Sequence, residues 1–233
     1  MKPNGFFVTG TDTGVGKTLF AAALTRALAA RGLRVAVMKP VSSGCERTPE
    51  GLRNSDALAL MAAANVKADY SAVNPYCFVP PVSPHIAAQE GGIVIELDRL
   101  RKQFESLAAA ADCVVVEGAG GWLTPIGDTT SMADIAIELA VPTILVVGIR
   151  LGCLNHALLT RESIAARGVP FCGWVANHVD PDLERATENV AALSLRLGAP
   201  PLVRLPFMAV GSTSPDVGEA AARLHALSVE HKA

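Results

Sequence analysis

A short glycine-rich stretch near the start of the chain carries the side chains best suited to chemistry. Residues 10–18 read GTDTGVGKT and follow the apolar run FFV. Glycines allow backbone angles that residues with a Cβ resist, so successive N–H groups can point into one concavity and hold phosphate oxygens. Lys17 supplies a positive charge for the outer phosphates, and Thr18 supplies a hydroxyl for Mg²⁺ at the positive end of a helix. The stretch therefore predicts a nucleoside triphosphate site.

The common form of such a loop is G-x-x-x-x-G-K-[ST], and the sequence departs from it at one position. Thr11 stands where the first glycine is usual, and the glycine comes one residue earlier, as Gly10. An ordinary glycine-rich turn between a strand and a helix is the alternative interpretation. The GKT triplet follows an apolar strand and opens an amphipathic helix, and this placement favours the phosphate loop.

Charged residues elsewhere suit a metal-bound triphosphate. Glu117 ends the apolar run VVVE, Asp56 lies at the start of a predicted helix, and Lys39 follows the second predicted strand. The carboxylates would approach the metal, and the lysine would neutralise charge that develops during transfer. Each has a plainer interpretation: a turn cap for Glu117, a helix N-terminal charge for Asp56 and a solvated side chain for Lys39. Ser42 and Ser43 suit either a substrate contact or a turn.

Short apolar runs alternate with longer Ala- and Leu-rich patterns along the chain. The predicted strands cover residues 5–9, 34–38, 113–117, 143–148, 171–176 and 202–205. The predicted helices cover residues 17–31, 54–64, 97–110, 132–140, 154–167, 182–197 and 216–229. Strands such as TILVVG are apolar throughout, which is typical of strands buried on both faces. The pattern predicts one α/β domain over residues 1–233, with a mostly parallel sheet of the P-loop NTPase type and helices on both faces.

Two segments do not fit the alternation. Residues 65–92 are rich in proline and are expected to form a long ordered excursion over the surface, part of which could reach the site. Residues 118–130, GAGGWLTPIGDTT, form a glycine-rich loop after a buried strand. Loops in that position face the ligand in open α/β sheets.

Composition limits the function classes. The 233 residues carry a formal net charge of -2, and 18% are charged. No run of Lys or Arg suggests nucleic acid or an anionic membrane, and no apolar run is long enough to span a bilayer. The start of the chain lacks a signal-like segment, so the expected compartment is the cytoplasm. The five cysteines show no C-x-x-C spacing and are expected to be buried, reduced thiols.

Seven segments together resemble the dethiobiotin synthetases. They are GTDTGVGKT (10–18), MKPVSSG (38–44), TPEGLRNSDALAL (48–60), NPYCFVPPVSPHIAAQEG (74–91), VEGAGGW (116–122), VVGIRLGCLNHALLT (146–160) and GWVAN (173–177). Each segment alone is a weak to moderate signal, but their order and intervals are specific. The resemblance extends from the first strand to about residue 207, and the residues beyond it match only loosely.

The resemblance implies a reaction as well as a fold. Dethiobiotin synthetases close a cyclic urea on the vicinal diamine of diaminopelargonic acid. One nitrogen takes up CO₂ as a carbamate, ATP transfers its γ-phosphate to the carbamate oxygen, and the second amine displaces phosphate. The enzyme mainly has to align the reactants and neutralise charge. The implied cofactors are ATP and Mg²⁺, and the implied assembly is a homodimer with its sites at the interface.

The resemblance also assigns roles to residues. The catalytic positions are Thr13, Lys17 and Lys39. Those near the nucleotide are Gly14, Val15, Gly16, Lys17, Thr18, Leu19, Asp56, Glu117, Gly118, Ala119, Gly120, Asn177, His178, Pro206, Phe207 and Met208. Those near the diamine are Thr13, Ser43, Gly120 and Asn155, with Asn155 reaching in from the partner subunit. The metal ligands are Thr18, Asp56 and Glu117.

Two departures from the family pattern concern the nucleotide. Gly14 stands where well-known members carry a glutamate, which removes a carboxylate near the phosphates. After Met208 the chain runs AVGSTSPDVG, without the acidic residue that some members place there for the nucleotide. Both bear on the preference for ATP over another triphosphate.

Three other classes are compatible with parts of the pattern. Partitioning ATPases and metal-cluster-carrier ATPases share this fold. They have in common a second lysine early in the phosphate loop, where this sequence has Thr11 and Asp12. An ATP-dependent amidoligase would normally carry a glutaminase region, for which the chain has no room. A pure interaction module would have no use for Lys39, Asp56 and Glu117 around one loop.

Overall fold

The structure, a computed structural model, describes residues 5–208 and 215–230, with side chains as far as residue 226 in the last helix. The strands are β1 (Gly5–Gly10), β2 (Val35–Met38), β3 (Val41–Ser42), β4 (Glu46–Thr48), β5 (Gly51–Arg53), β6 (Tyr76–Cys77), β7 (Cys113–Glu117), β8 (Thr143–Ile149), β9 (Phe171–His178) and β10 (Val203–Leu205). The helices are α1 (Lys17–Ala30), α2 (Ser55–Ala63), α3 (Tyr70–Val73), α4 (Pro84–Glu90), α5 (Leu97–Ala110), α6 (Met132–Glu138), α7 (Cys153–Ala166), α8 (Ala186–Leu197) and α9 (Gly218–Glu230).

Six of these strands form one parallel sheet in the order β10-β9-β8-β1-β7-β2. Parallel neighbours need crossover connections, which the long helices supply. The predicted parallel α/β sheet is confirmed, as is each predicted strand within a few residues. The helix expected from residue 182 begins at residue 186. Sequence patterns place element ends least reliably.

The sheet is buried on both faces, as the apolar strands predict. Along β1 the side chains of Phe6 and Val8 pack into one cluster with α1, and Phe7 packs into the opposite cluster with α5 and α6. A third cluster holds α7 and α8 against β8 and β9. The expected helices on both faces are therefore present. Phe7 and Val8 are fully buried, so β1 is held rigidly where it leads into the glycine-rich loop.

The proline-rich segment 65–92 is more ordered and more buried than expected. It forms α3, β6 and α4, and β6 pairs in parallel with β3 next to the end of β2. Tyr76, Phe78 and Ala87 are buried in the same cluster as Phe7. The segment is thus part of the core rather than only a surface excursion. Its short elements escaped prediction because their buried positions alternate over too few residues to show a period.

One cysteine expectation is wrong. Cys45 and Cys77 form a disulfide across a sequence separation of 32 residues. Cys113, Cys153 and Cys172 are free. Burial raises the pKa of the Cys113 thiol to about 12, with a further contribution from the charge of Asp112. Sequence spacing gave no sign of the pair, because the pairing depends on the β3–β6 contact between distant segments.

No helix among residues 5–208 and 215–230 combines the length and apolar character needed to cross a bilayer. This agrees with the short apolar runs in the sequence.

Candidate functional site

The phosphate loop lies between β1 and α1, where the sequence predicts it. Gly14 and Gly16 have φ angles of +75° and +91°, a backbone region that other residues rarely adopt. A Cβ at Gly16 would also lie 2.1 Å from the side-chain nitrogen of Asn177. Asn177 in turn donates a hydrogen bond from Nδ2 to the Val15 carbonyl at 2.9 Å. The end of β9 therefore supports the loop from below, and Gly16 permits that close approach.

Lys17 is held inside the loop. It is buried, and its Nζ donates to the Asp12 carbonyl at 2.9 Å. Burial and the charge of nearby Lys39 together lower the pKa of Lys17 to about 8, and neighbouring carboxylates compensate only in part. An anion that enters the loop would favour the charged form of Lys17. Asp12 also pairs with Arg150, which follows β8, so the loop is anchored on its other side.

Lys39 bridges the two acidic residues that the sequence singles out. Its Nζ lies 2.6 Å from Glu117 Oε1 and 2.9 Å from Asp56 Oδ2, and it donates to the Gly118 carbonyl at 3.3 Å. Thr18 Oγ1 donates to the same Glu117 oxygen at 2.8 Å. These contacts bring all four polar groups into one cluster.

The charges of this cluster are strongly coupled. Burial by itself would lower the pKa of Lys39, but the charges of Glu117 and Asp56 and the hydrogen bonds they accept raise it above its ordinary value. Burial would likewise raise the pKa of Asp56, but Lys39 outweighs it and lowers that pKa. Lys39 is thus held as a cation and Asp56 as an anion.

Strand order explains why these residues meet. In the sheet β7 lies between β1 and β2, with Glu117 beside Val8 and Met38 beside Val116. The carboxyl ends of three neighbouring strands therefore present the phosphate loop, Glu117 and Lys39 along one edge. Ligands of open parallel sheets bind at this edge. Asp56 joins from α2, whose N-terminus is capped by the Asn54 side chain.

A cavity of about 780 Å³ opens over the cluster. Its floor is the phosphate loop, and its walls come from the segment after β2, the start of α2, the proline-rich segment and the loop after β7. The lining residues are Thr13, Gly14, Gly16, Lys17, Thr18, Lys39, Ser42, Ser43, Asn54, Asp56, Pro81, Val82, Ser83, Pro84, Glu117, Ala119, Gly120, Thr124 and Pro125. This volume is typical of a site for small molecules.

Two buried atoms at the cavity have no hydrogen-bond partner among the described residues: Ser43 Oγ and Glu117 Oε2. Buried polar atoms in native proteins are nearly always paired, so each is suited to a bound group. A cation fits Glu117 Oε2, since Thr18 and Asp56 add oxygen atoms close by. Mg²⁺ is commonly held by one or two carboxylates together with substrate phosphates.

The other predicted site residues lie around the cavity rather than inside it. Val15 is buried under the loop, Leu19 is in the first turn of α1, and Gly118 continues from β7. Asn177 and His178 end β9, in register with the end of β10. Pro206, Phe207 and Met208 follow β10, so they lie next to Asn177 at the same edge of the sheet. Residues 209–214, where the family's acidic residue is missing, lie outside the described residues.

Asn155 does not reach the cavity of its own chain. It is exposed in the first turn of α7, close to Leu151, whose surface is 89% exposed. The structure thus leaves Asn155 available on the surface.

Sequence reasoning missed several residues of the site. Asn54 precedes a predicted helix, and an asparagine there is a recognised N-cap signal that could have identified it. Thr124 accepts the Gly121 N–H at 2.8 Å and shapes the loop after β7. Pro81 and Pro84 line the cavity, but no local pattern shows which part of the proline-rich segment turns inward.

The fold and the loop define a protein of the P-loop NTPase class. Among solved structures, the chain resembles MinD in the MinC:MinD cell division complex of Aquifex aeolicus, with a TM-score of 0.61, 16% identity and 96% coverage of both chains. At that identity the likeness shows the fold alone. Residues 4–212 match the family described as an AAA domain.

Curated relatives identify the family more narrowly. The chain is 50% identical over 207 residues to the ATP-dependent dethiobiotin synthetase BioD of Xanthomonas oryzae pv. oryzae (strain PXO99A), covering 89% of this chain and 92% of the relative. It is 49% identical over 221 residues to the synthetase of the same name from Pseudomonas paraeruginosa, covering 94% of each. The chain belongs to the family of ATP-dependent dethiobiotin synthetases.

Proposed function

We propose that this protein uses ATP to close the cyclic urea of dethiobiotin from diaminopelargonic acid and CO₂, with ADP and phosphate as the other products. It is an enzyme of the ligase class that acts in biotin biosynthesis. The observation that carries the proposal is the cluster in which Lys39 bridges Glu117 and Asp56 beside the phosphate loop. An NTP-binding loop alone would not need this buried cation.

The phosphate loop would hold the triphosphate. The backbone of residues 13–19 and the Lys17 ammonium face the phosphates, and Thr13 is exposed at the mouth of the loop where the diamine nitrogen and the γ-phosphate would meet. Because the free loop lowers the pKa of Lys17 to about 8, phosphate oxygens would restore its full charge.

Lys39 would act on the reacting group. A carbamate and a γ-phosphate are both anionic, so their approach requires a cation between them. Lys39 is fixed by two carboxylates within 3 Å, and it faces the cavity. It would orient the carbamate oxygen and neutralise the charge that passes to the phosphoryl group. The second amine then attacks the carbamoyl carbon, its proton leaves, and inorganic phosphate departs.

The diamine would lie across the upper part of the cavity. Ser43 Oγ is buried without a partner among the described residues, and Gly120 also lines the cavity. Gly120 has a φ angle of +63°, and a Cβ there would lie 2.4 Å from Thr124 Oγ1. A glycine at this position therefore allows the loop to pack closely against the Thr124 side chain.

Thr18, Asp56 and Glu117 would hold Mg²⁺, as their oxygen atoms and the unpartnered Glu117 Oε2 suggest. The metal would neutralise charge on the outer phosphates during transfer. The adenine would lie beyond the loop, at the ends of β9 and β10, near Asn177, His178 and residues 206–208.

The reaction is tested by measuring phosphate release from Mg-ATP and bicarbonate with and without diaminopelargonic acid, and by mass spectrometry of the product. We expect release to depend on the diamine and the product to exceed it in mass by CO₂ less water. Release that is indifferent to the diamine would reduce the protein to a nucleoside triphosphatase. In that case amidoligase substrates and protein partners would be tested next.

We further propose a homodimer whose sites each receive Asn155 from the partner subunit, and a cytoplasmic location. Asn155 lies outside its own chain's cavity, and the nearby Leu151 and Leu159 are exposed apolar side chains. A dimer interface on this side of α7 would cover these side chains. Disulfides are uncommon in cytosolic proteins. The test of location should therefore include labelling of free thiols after rapid lysis, which shows whether the disulfide is formed in the cell.

Mixed dimers would test the shared site. Lys17→Met and Asn155→Ala should each inactivate a homodimer. In a mixed dimer one site carries both changes and the other carries neither. Random re-association of equal amounts should therefore recover about a quarter of wild-type activity. If Asn155 acts in its own chain's site, or not at all in catalysis, mixing will give no gain over the separate variants.

A further inference from the structure

Asn74 is buried beneath the substrate wall, and it uses every hydrogen-bonding position of its side chain. Only 3% of its surface is exposed. Nδ2 donates to the Lys39 carbonyl at 2.6 Å and to the Tyr76 carbonyl at 3.3 Å. Oδ1 accepts from Ser42 Oγ at 2.8 Å and from the Tyr70 hydroxyl at 2.9 Å. An asparagine amide has two donors and two acceptor positions, so this side chain is saturated.

One side of this arrangement fixes the segment that carries Lys39. The Lys39 N–H donates to the Val73 carbonyl at 2.8 Å, and the Lys39 carbonyl accepts from Asn74. Both backbone groups of Lys39 are therefore held by the chain around residue 74. Ser42, which also binds Asn74, lines the cavity next to Ser43. The position of the Lys39 backbone determines where its buried ammonium can reach.

The other side of the arrangement leads to Asp56. The Tyr70 hydroxyl, which donates to Asn74, accepts the Asn54 N–H at 2.7 Å. Asn54 caps α2 by accepting the backbone N–H of Asp56 at 3.1 Å. Its Nδ2 also reaches the Ser43 carbonyl at 3.4 Å. The side-chain oxygen of Asn74 thus connects the segment that carries Lys39 with the start of the helix that places Asp56.

We propose that Asn74 is a positioning residue for the reaction: it sets the distance between the Lys39–Ser43 wall and the Asp56 helix start without touching a substrate. None of the elements it contacts belongs to the phosphate loop. Loss of Asn74 should therefore disturb turnover and the diamine more than the nucleotide. Misplacement of a reacting group by about 1 Å can cost on the order of 100-fold in rate. The inference rests on the proposed function.

Asn65 offers a matched control. It also bridges two backbone groups with its amide, donating to the Leu33 carbonyl at 2.8 Å and accepting the Val35 N–H at 2.7 Å. It does so at the start of β2, at the opposite end of the strand from Lys39. Asn65→Ala therefore removes two hydrogen bonds between an asparagine side chain and the backbone, at an exposed position remote from the cavity.

The experiment compares wild type, Asn74→Ala, Asn74→Asp and Asn65→Ala in the cyclic urea assay, with the affinity for metal-free ADP as a second readout. We expect both Asn74 variants to lose about 10- to 100-fold in kcat/KM for the diamine, with kcat lowered and KM raised. The ADP affinity should stay within about threefold of wild type. Asn74→Asp keeps the size and the acceptors but loses the donations to the Lys39 and Tyr76 carbonyls, so it tests the donor side of the arrangement. Asn65→Ala should lower the melting temperature without changing either kinetic constant.

Tyr70→Phe provides a second route if the Asn74 variants fold poorly. It removes only the hydroxyl that joins Asn74 to Asn54, and it keeps the ring against which Arg53 packs. We expect a smaller loss, about 3- to 10-fold in kcat/KM. Equal kinetics for folded Asn74→Ala and Asn65→Ala would overturn the positioning role and leave the proposed function intact. A wild-type protein that forms no cyclic urea would overturn both.

Discussion

Replacing Lys39 with methionine should destabilise the protein, because it removes the positive charge that lies between two carboxylates. Lys39 Nζ lies 2.6 Å from Glu117 and 2.9 Å from Asp56, whose side chains are 1% and 41% exposed. Without the ammonium, Glu117 becomes a buried carboxylate that has lost its ion-pair partner, and only the Lys17 cation remains nearby. Breaking a buried pair by removing one partner costs about 3–5 kcal/mol in the free energy of unfolding. The more exposed Asp56 is solvated by water and adds at most about 1 kcal/mol.

The expected shift in melting temperature follows from the size of the chain. For domains of this length, 1 kcal/mol corresponds to about 2–4 °C, so Lys39→Met should melt about 6–24 °C below wild type without metal. Differential scanning calorimetry measures this directly. Lys67 is an exposed lysine, and Lys67→Met should melt within a degree or two of wild type.

Two further measurements separate charge from packing. Adding Glu117→Gln to Lys39→Met removes the unpaired charge, so the double variant should be more stable than Lys39→Met alone. Mg²⁺ should raise the melting temperature of Lys39→Met more than that of wild type, since in wild type the ammonium already balances part of the carboxylate charge. The variant should retain ADP affinity and lose about 100- to 1,000-fold in turnover. Unchanged stability together with an unchanged response to Mg²⁺ would refute the assignment of Lys39 as the counter-charge.

Three other predictions concern the metal, the phosphate loop and the disulfide. Asp56→Asn should weaken Mg-ATP more than metal-free ATP, as measured by calorimetry, and equal weakening of both would reduce Asp56 to a helix-end charge. The Kd for metal-free ADP should change little between about pH 7 and pH 8 and rise by up to about tenfold per pH unit above pH 8, because bound phosphates raise the lowered pKa of Lys17. Lys17→Met should remove this rise. Reduction of the Cys45–Cys77 disulfide, which spans 32 residues, should cost about 3–4 kcal/mol in urea unfolding, and dithiothreitol should have no such effect on the Cys45→Ser/Cys77→Ser variant.

Much of the sheet was predictable because its strands are apolar over their whole length. A run such as TILVVG can be buried only between two layers, and the structure buries all seven residues of β8. The short elements α3, β6 and α4 were not predictable. Their burial depends on contacts with residues far away in the chain, and local propensity is weak over two to seven residues.

Some residues of the site were also predictable from local sequence, and others were not. The phosphate loop could be found from its own letters because its function resides in backbone angles and in one lysine, all within nine residues. Lys39, Asp56 and Glu117 could each be placed at the end or the start of an element. Sequence patterns alone left each of them with a plainer interpretation, and the family resemblance was needed to choose between the two.

What the sequence by itself determined is therefore the α/β sheet, the nucleotide loop and, through the family, the expected chemistry. The tertiary structure decided which distant groups meet: Lys39 between two carboxylates, Asn74 between Lys39 and Tyr70, and the disulfide between Cys45 and Cys77. The physical reason is that the contacts of Lys39 with Asp56, Asn74 and Glu117, like the disulfide, join residues 17 to 78 positions apart, and they form only once strand order and register are set. Local periodicity carries no information about partners at that distance.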